Sequence, residues 1–313
     1  FRSAAGKTVA ITATNNIAST GFSTTTAGGA LTLNSNTLAL GAIDTGSGLL
    51  TINNAAAATQ SGVFAGSGGL TKLGVGTLTL SLANTYTGTT TVSGGTLNVS
   101  GTLAAAGSLV VSGGTFDLQT NTQQFAGVQQ TGGTIQNGTV TLNAGNYDLQ
   151  GGTVSAVLAG TAGANVTVGT TTYSGSGANT YAGLTTVSAG TLNLNKTAGT
   201  DAIAGNLTVS GGSVVLQAAN QIKNTANVVV SGGTLDIGAN DETVNNVKMT
   251  SGSLLGTSGT LSSGTAFDMQ GGSAGAILGG TAGLTASAGT TTLSKANTYT
   301  GTTTVSGGTL NVS

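Results

Sequence analysis

The sequence predicts an all-β chain wound as a parallel β-solenoid, and three observations carry that prediction. The first is a phrase that returns. Residues 83–100 read ANTYTGTTTVSGGTLNVS, residues 296–313 repeat those eighteen letters unchanged, and residues 178–195 (ANTYAGLTTVSAGTLNLN) are a diverged copy. Repetition on this scale points to stacked units that bury a core only against their neighbours. The second is a finer period. The second small residue of each small-small corner falls at Gly95, Gly114, Gly133, Gly152, Gly190, Gly212, Gly233, Gly252, Gly272 and Gly308, at intervals of 19, 19, 19, 38, 22, 21, 19, 20 and 36. Reading 38 and 36 as two coils each, with one corner disguised, gives 19–22 residues per coil, which suits one turn of a solenoid. The third is alternation. SLVVSGGTFDLQ (108–119), LTVSGGSVVLQ (207–217) and VVVSGGTLDIG (228–238) each place a short apolar run before a glycine corner and an alternating run after it. Period two marks a strand with one face in and one out, and glycine supplies the positive φ or close approach of a corner.

These strands align when coils are stacked. Leu97, Phe116, Ile135 and Val154 form the expected inward column, and Asn98, Asp117, Gln136 and Ser155 the expected outward one. Residues 1–82 read as less regular coils, with short β-like runs at 9–13, 31–33 and 49–52. Residues 83–177 form a first module, 178–295 a second, and 296–313 the start of a third. The module ends match, YDLQGGTVSAVLAGTAG at 147–163 against FDMQGGSAGAILGGTAG at 267–283. At about 20 residues and ~4.8 Å per coil, the expectation is roughly 16 coils in a rod about 75 Å long.

Composition supports a thin core. Hydrophobic residues make up 38% of the chain but aromatics only 4%; there are 55 glycines and no proline. Proline cannot donate to a ladder, so its absence suits a chain in which every coil donates to the next. Charged residues are 5% and net charge is −1, which speaks against disorder and against a nucleic-acid partner. Little charge also removes the usual guard against association, so self-association, end to end or lateral, is expected. Cysteine and histidine are absent. No apolar run is long enough for a membrane-spanning helix. The chain opens at Phe1 without a leader and stops at Ser313 inside a repeat, and is read as a trimmed window on a longer protein or a subunit that meets another.

Residues 62–97, GVFAGSGGLTKLGVGTLTLSLANTYTGTTTVSGGTL, closely resemble the autotransporter-associated β-strand repeat of bacterial surface and secreted proteins. The elements that carry the resemblance are GSGGLTK (66–72), GVGTLTLS (74–81), ANTYTG (83–88) and TTVSGGTL (90–97). They recur in part at 178–194 and 291–310; Leu82 and Thr89 stand where the family often has glycine. The resemblance implies a right-handed parallel β-helix passenger, extracellular or on the bacterial surface, whose parent protein uses an outer-membrane transporter. It implies no activity, because the repeat is a scaffold.

Candidate chemistry is sparse. Without histidine or cysteine there is no Ser-His-Asp or Cys-His catalysis and no ordinary zinc or haem site. The acids are Asp44, Asp117, Asp148, Asp201, Asp236, Asp241, Glu242 and Asp268. Asp117 and Asp236 share a coil position about six coils apart, far beyond the ~10 Å a glycosidase pair allows. Only Asp241 and Glu242 are adjacent, in a segment read as a loop, and the carboxylates are expected outward and solvated. Acids are too sparse for calcium, and the glycine-aspartate nonapeptide of calcium-binding solenoids is missing. No cofactor, metal or catalytic residue is expected. Tyr86, Tyr181 and Tyr299 share one place in the repeated phrase and read either as structural rings at a coil edge or as a sugar platform. Asn84, Asn179 and Asn297 read as turn formers or ladders. Threonine runs at 24–26, 89–91, 170–172, 290–292 and 302–304 are better explained by β-propensity than by an ice-binding face. The reading is a non-enzymatic extracellular stalk, fibre or surface filament. The alternatives are an adhesin passenger binding glycans or a host surface, and a polysaccharide-degrading β-helix.

Overall fold

The computed structural model describes residues 2–3, 7–24 and 28–313. Every strand pairing in it is parallel, and among the described residues there is no helix, hence none able to cross a membrane. The chain divides into two compact units, residues 1–145 with 156–159, and residues 146–155 with 160–313.

In the first unit the chain visits each face once per coil. Leu31 pairs with Leu50, Leu50 with Leu70, Leu70 with Thr90, Thr90 with Leu109 and Leu109 with Val128, each step falling within the period read from the glycines. After each corner a second face repeats the climb: Thr77–Leu80, Thr96–Val99, Thr115–Asp117 and Thr134–Gln136. A third, shorter face is built from Thr122–Phe125, Thr139–Leu142 and Val157–Ala159. The strands form because each segment alternates a branched or aliphatic residue with Thr, Asn or Gln. The first set points into the coil and the second toward solvent. Leu97, Phe116, Ile135 and Val154 are all fully buried. Asn98, Gln136 and Ser155 lie half-buried on the opposite side, and Asp117 is more covered than its neighbours. The Phe116 and Phe125 rings meet edge to face at 5.9 Å, filling the coil across two faces.

The second unit follows the same plan with more varied coils. Ala164 pairs with Thr185, Thr185 with Leu207, Leu207 with Val228 and Val228 with Val247, so the coil length changes from one level to the next. Two coils are shorter than the expected period: Tyr147 pairs with Ala164, and Phe267 with Leu284. The wide glycine intervals, Gly152 to Gly190 and Gly272 to Gly308, are therefore unequal coils, and their disguised corners are Gly169 and Gly289. On the next face the same coils make a longer climb, Val154 to Tyr173 and Ala274 to Leu293. The corner has absorbed a step of two. Val154, Tyr173, Ala274 and Leu293 all stay buried across the step, so the turn takes up the change and the strands keep their faces.

The corner glycines stack on one another. A Cβ added to Gly190, Gly212, Gly233, Gly252 or Gly272 would fall 2.3–2.6 Å from the carbonyl oxygen of the corner glycine one coil back. Gly95, Gly114 and Gly133 repeat this in the first unit, and Gly308 sits against Gly289. Gly152 takes a φ of 100°. The corner thus lacks room for a side chain.

Gly190 and Gly199 separate crowding from backbone strain. Both have positive φ, 70° and 80°, but a Cβ on Gly190 would meet the Gly169 oxygen at 2.5 Å and one on Gly199 would meet nothing within 4 Å. Gly199→Ala should cost about 1–2 kcal/mol, from the left-handed backbone alone. Gly190→Ala should cost about 1–3 kcal/mol more for overpacking. Urea titration of the two variants checks this; equal losses would remove close approach as the reason for the glycine column.

Candidate functional site

The repeated phrase is spent on joining coils. Asn84 is buried; its Oδ1 accepts the Phe64 N–H one coil back at 2.9 Å, and its Nδ2 donates to the Leu82 carbonyl at 3.0 Å. The Gln60 side chain donates to the same Oδ1. Asn297 Oδ1 accepts the Leu278 N–H at 2.8 Å, and Asn179 Nδ2 donates forward to the Ala202 carbonyl at 2.7 Å. These amides act between coils, supplying partners where the third face has no regular strand.

The tyrosine two residues on turns inward. Tyr86 and Tyr181 are buried, Tyr299 half-buried. Each hydroxyl bonds the threonine four residues later, Tyr86 to Thr90 at 2.8 Å, Tyr181 to Thr185 at 2.6 Å and Tyr299 to Thr303 at 2.8 Å. Neither Tyr86 nor Tyr181 presents a ring face to solvent. Burial raises both hydroxyl pKa values and the threonine bond offsets part of the rise; Tyr181 stands at about 12. Tyr147 packs edge to face on Tyr181 with centroids 6.2 Å apart, and Tyr173 is also fully buried in that unit. The pairing explains an oddity of sequence: Thr90 and Thr185 occupy inward places because a hydroxyl faces them. Thr171 and Thr291 likewise point inward, so the runs at 170–172 and 290–292 do not make a flat face. Of the run at 24–26, Thr25 and Thr26 lie outside the described residues.

The charged residues depart most from expectation. Lys72 is fully buried, its Nζ donating to the carbonyls of Leu73, Gly74 and Gly94, the last two at 3.0 and 3.4 Å. Lys196 is buried as well and donates to the Ser174 carbonyl at 3.0 Å. Burial without a carboxylate partner lowers each ammonium to about 8.

Two acids are not solvated. Asp117 is 8% exposed. Burial pushes its carboxyl up, but bonds from Asn137, Gln136 and the Gln119 N–H outweigh this and leave it lowered. Glu242 opens a strand rather than lying in a loop, and is buried. Its carboxylate accepts the N–H groups of Gln221 at 2.7 Å, Ile222 at 3.2 Å and Thr243 at 3.1 Å. Burial raises it to about 7, with Asp201 adding to the rise and the backbone donors opposing it. Gln221 in turn accepts the Lys196 N–H at 2.8 Å. Glu242, Gln221 and Lys196 thus form a polar thread through three coils. Adjacent Asp241 faces the other way and caps the Thr260 N–H at 2.8 Å.

The structure does gather one charged neighbourhood that spacing concealed. A cleft of about 620 Å³ is lined by Asp201, Asn220, Lys223, Asn224 and Thr243. Burial raises the Asp201 carboxyl and Lys223 partly offsets it. Both Glu242 oxygens are already held by backbone donors, so that acid serves as a clamp. Asp148 and Asp268 bond the glutamine two residues on, and Asp268 lies 3.6 Å from Lys248 at the surface. Among the described residues no three ligating side chains gather as a metal site would require.

Parallel coils joined by like-on-like contacts define the chain as a β-solenoid repeat protein. The passenger-associated-transport-repeat family model matches residues 70–99, 169–194 and 286–312, three stretches of the chain similar to the repeat its motifs resemble. No curated protein and no solved structure gives a significant match.

The Tyr86–Thr90 pair can be apportioned. Tyr86→Phe strands the Thr90 hydroxyl and should cost about 1–3 kcal/mol. Adding Thr90→Val should recover most of that loss, because both partners are then apolar. Urea midpoints of the two singles and the double check this; additive losses would mean the hydroxyls do not act together.

Buried charge also sets a pH profile. Glu242 rises from 4.5 unfolded to about 7 folded, so the folded state binds the extra proton and its stability falls as pH rises across that window. Lys72 and Lys196 fall from 10.5 to about 8, so the unfolded state binds the extra protons and stability rises from pH 8 to 10.5. Melting temperatures of Glu242→Gln should lose the acid-side slope, and Lys72→Met the alkaline rise in part. Unchanged slopes would mean these groups titrate normally.

Proposed function

We propose that this chain is a non-enzymatic stretch of an exported passenger, a stiff β-solenoid stalk or fibre at the bacterial cell surface that associates with copies of itself. The observation that carries the reading is the direction of the repeated phrase. Asn84, Tyr86, Thr90 and Gly95, and their counterparts in the second unit, are turned to the next coil or to the core, so the repeat spends its distinctive side chains on cohesion. The passenger-associated repeat supports export, and the parent protein is expected to engage an outer-membrane transporter. Its mechanism is mechanical. Coils are held by backbone ladders on two faces and by a short ladder or side-chain clamps on the third, so pulling a coil free breaks many bonds together. Net charge of −1 over 313 residues leaves little repulsion between copies.

Negative-stain microscopy of the purified chain at rising concentration tests the self-association. Uniform filaments or laterally aligned bundles are expected. Particles that stay single at every concentration would sink that part of the reading, and rapid cleavage by a non-specific protease would sink the stiffness.

A further inference from the structure

Asn137 is the one asparagine in the chain that a glycine follows. Such a pair can react with itself. The glycine backbone nitrogen attacks the side-chain amide carbon, because glycine has no side chain to block the approach. A carbon–nitrogen bond closes a five-membered imide, the old amide bond breaks, and ammonia leaves with the proton the backbone nitrogen gave up. Water then opens the imide at either carbonyl, giving aspartate or its isoaspartyl isomer. The reaction needs only water.

The structure supplies the reactants but withholds the geometry. Asn137 is exposed. Gly138 lies between two ladders, after Thr134–Gln136 and before Thr139–Leu142. Among the described residues its N–H meets no backbone acceptor. Asn137 and Gly138 have φ of 58° and 51°, two successive left-handed residues of the kind an asparagine–glycine turn favours. In a left-handed residue the next nitrogen points away from the side chain, so attack requires the turn to open. Two bonds oppose opening. Asn137 Nδ2 donates to Asp117 Oδ1 at 2.8 Å one coil back, and the Gly138 carbonyl accepts the Val157 N–H at 3.0 Å one coil on. The turn is also packed, since a Cβ on Gly138 would fall 2.3 Å from the Asn121 carbonyl oxygen. Asp117 is itself anchored: it is 8% exposed and accepts the Gln119 N–H and the Gln136 Nε2, each at 2.8 Å.

We propose that Asn137–Gly138 is a self-modification site and that Asp117 holds it closed. The product reverses the contact that restrained it. A carboxylate at 137 replaces the donor facing Asp117 with a second negative charge, and like charges that close repel. The isoaspartyl form also adds a carbon to the main chain at a packed corner. Conversion therefore loosens the corner between residues 117–121 and 136–139, and it does so irreversibly because the ammonia is lost. The proposal is independent of the stalk reading, since it concerns one corner of the first unit.

The test keeps the whole chain in mildly alkaline buffer, folded and in urea, and follows conversion at 137 by peptide mass and chromatography. Conversion should be slow in the folded chain and faster in urea. Asp117→Ala should speed folded-state conversion by about fivefold or more, the worth of one hydrogen bond to a charged group. Asp117→Asn, which keeps an acceptor oxygen, should speed it less. Ile52→Val, a core truncation several coils away, should leave it near the parent rate. Asn137→Asp makes the aspartyl product directly. It should be cut by a non-specific protease between 117 and 139 faster than the parent, and the difference should close at acid pH, where the carboxylates are protonated. Four results would overturn the proposal. They are no conversion even in urea, equal rates folded and in urea, equal acceleration by Asp117→Ala and Ile52→Val, and parent-like resistance of Asn137→Asp.

Discussion

Strand residues in this fold stand in register with residues one coil below, often of like chemistry, and that constraint governs the rest. Parallel ladders between coils fix the vertical spacing at strand separation. At that spacing a corner cannot carry side chains on successive levels, so glycines stack against the carbonyls of glycines. Proline is absent from a chain whose N–H groups serve neighbours on both faces. Where the third face loses its strand, asparagine and glutamine side chains replace the missing backbone partners, and the same replacement recurs at Asn84, Asn179 and Asn297.

Stacking also explains the polar interior. An inward column need not be apolar at every level if a polar side chain finds carbonyls or N–H groups at the corner. Lys72 stands in register between Ile52 and Val92, its stem crossing the core and its ammonium meeting corner carbonyls. Glu242 does the reverse, a carboxylate meeting corner N–H groups. Neither has a charged partner close enough to neutralise it, which is why their proton affinities move so far.

Much of this was legible beforehand. The period, the glycine corners, the parallel pairing and the inward column Leu97, Phe116, Ile135 all follow from alternation and repetition, which stacking converts directly into structure. The buried ions did not follow, although the signal was present. Lys72 is two residues after inward Leu70, Lys196 two after inward Leu194, and Glu242 two before inward Val244. Strand parity placed all three inside, but residue type argued for the surface and prevailed. The tyrosine–threonine bonds were also visible, as a Tyr and a Thr four apart in every copy. The cleft beside Asp201 could not be read, because it gathers residues from separate coils through turns whose paths the repeat does not specify.

The two-residue step at the corners after Leu149 and Met269 has a consequence for how such chains change. A corner can change by two residues, as here, or by one, as between Lys72–Leu78 and Val92–Leu97, and leave inside and outside intact, because a turn is not bound to the alternation of a strand. Mutation is therefore filtered by parity along the strands and absorbed at the corners. A chain of this kind can drift in length through many tolerated events while its cross-section stays the same, which makes reach the most easily evolved property of the molecule.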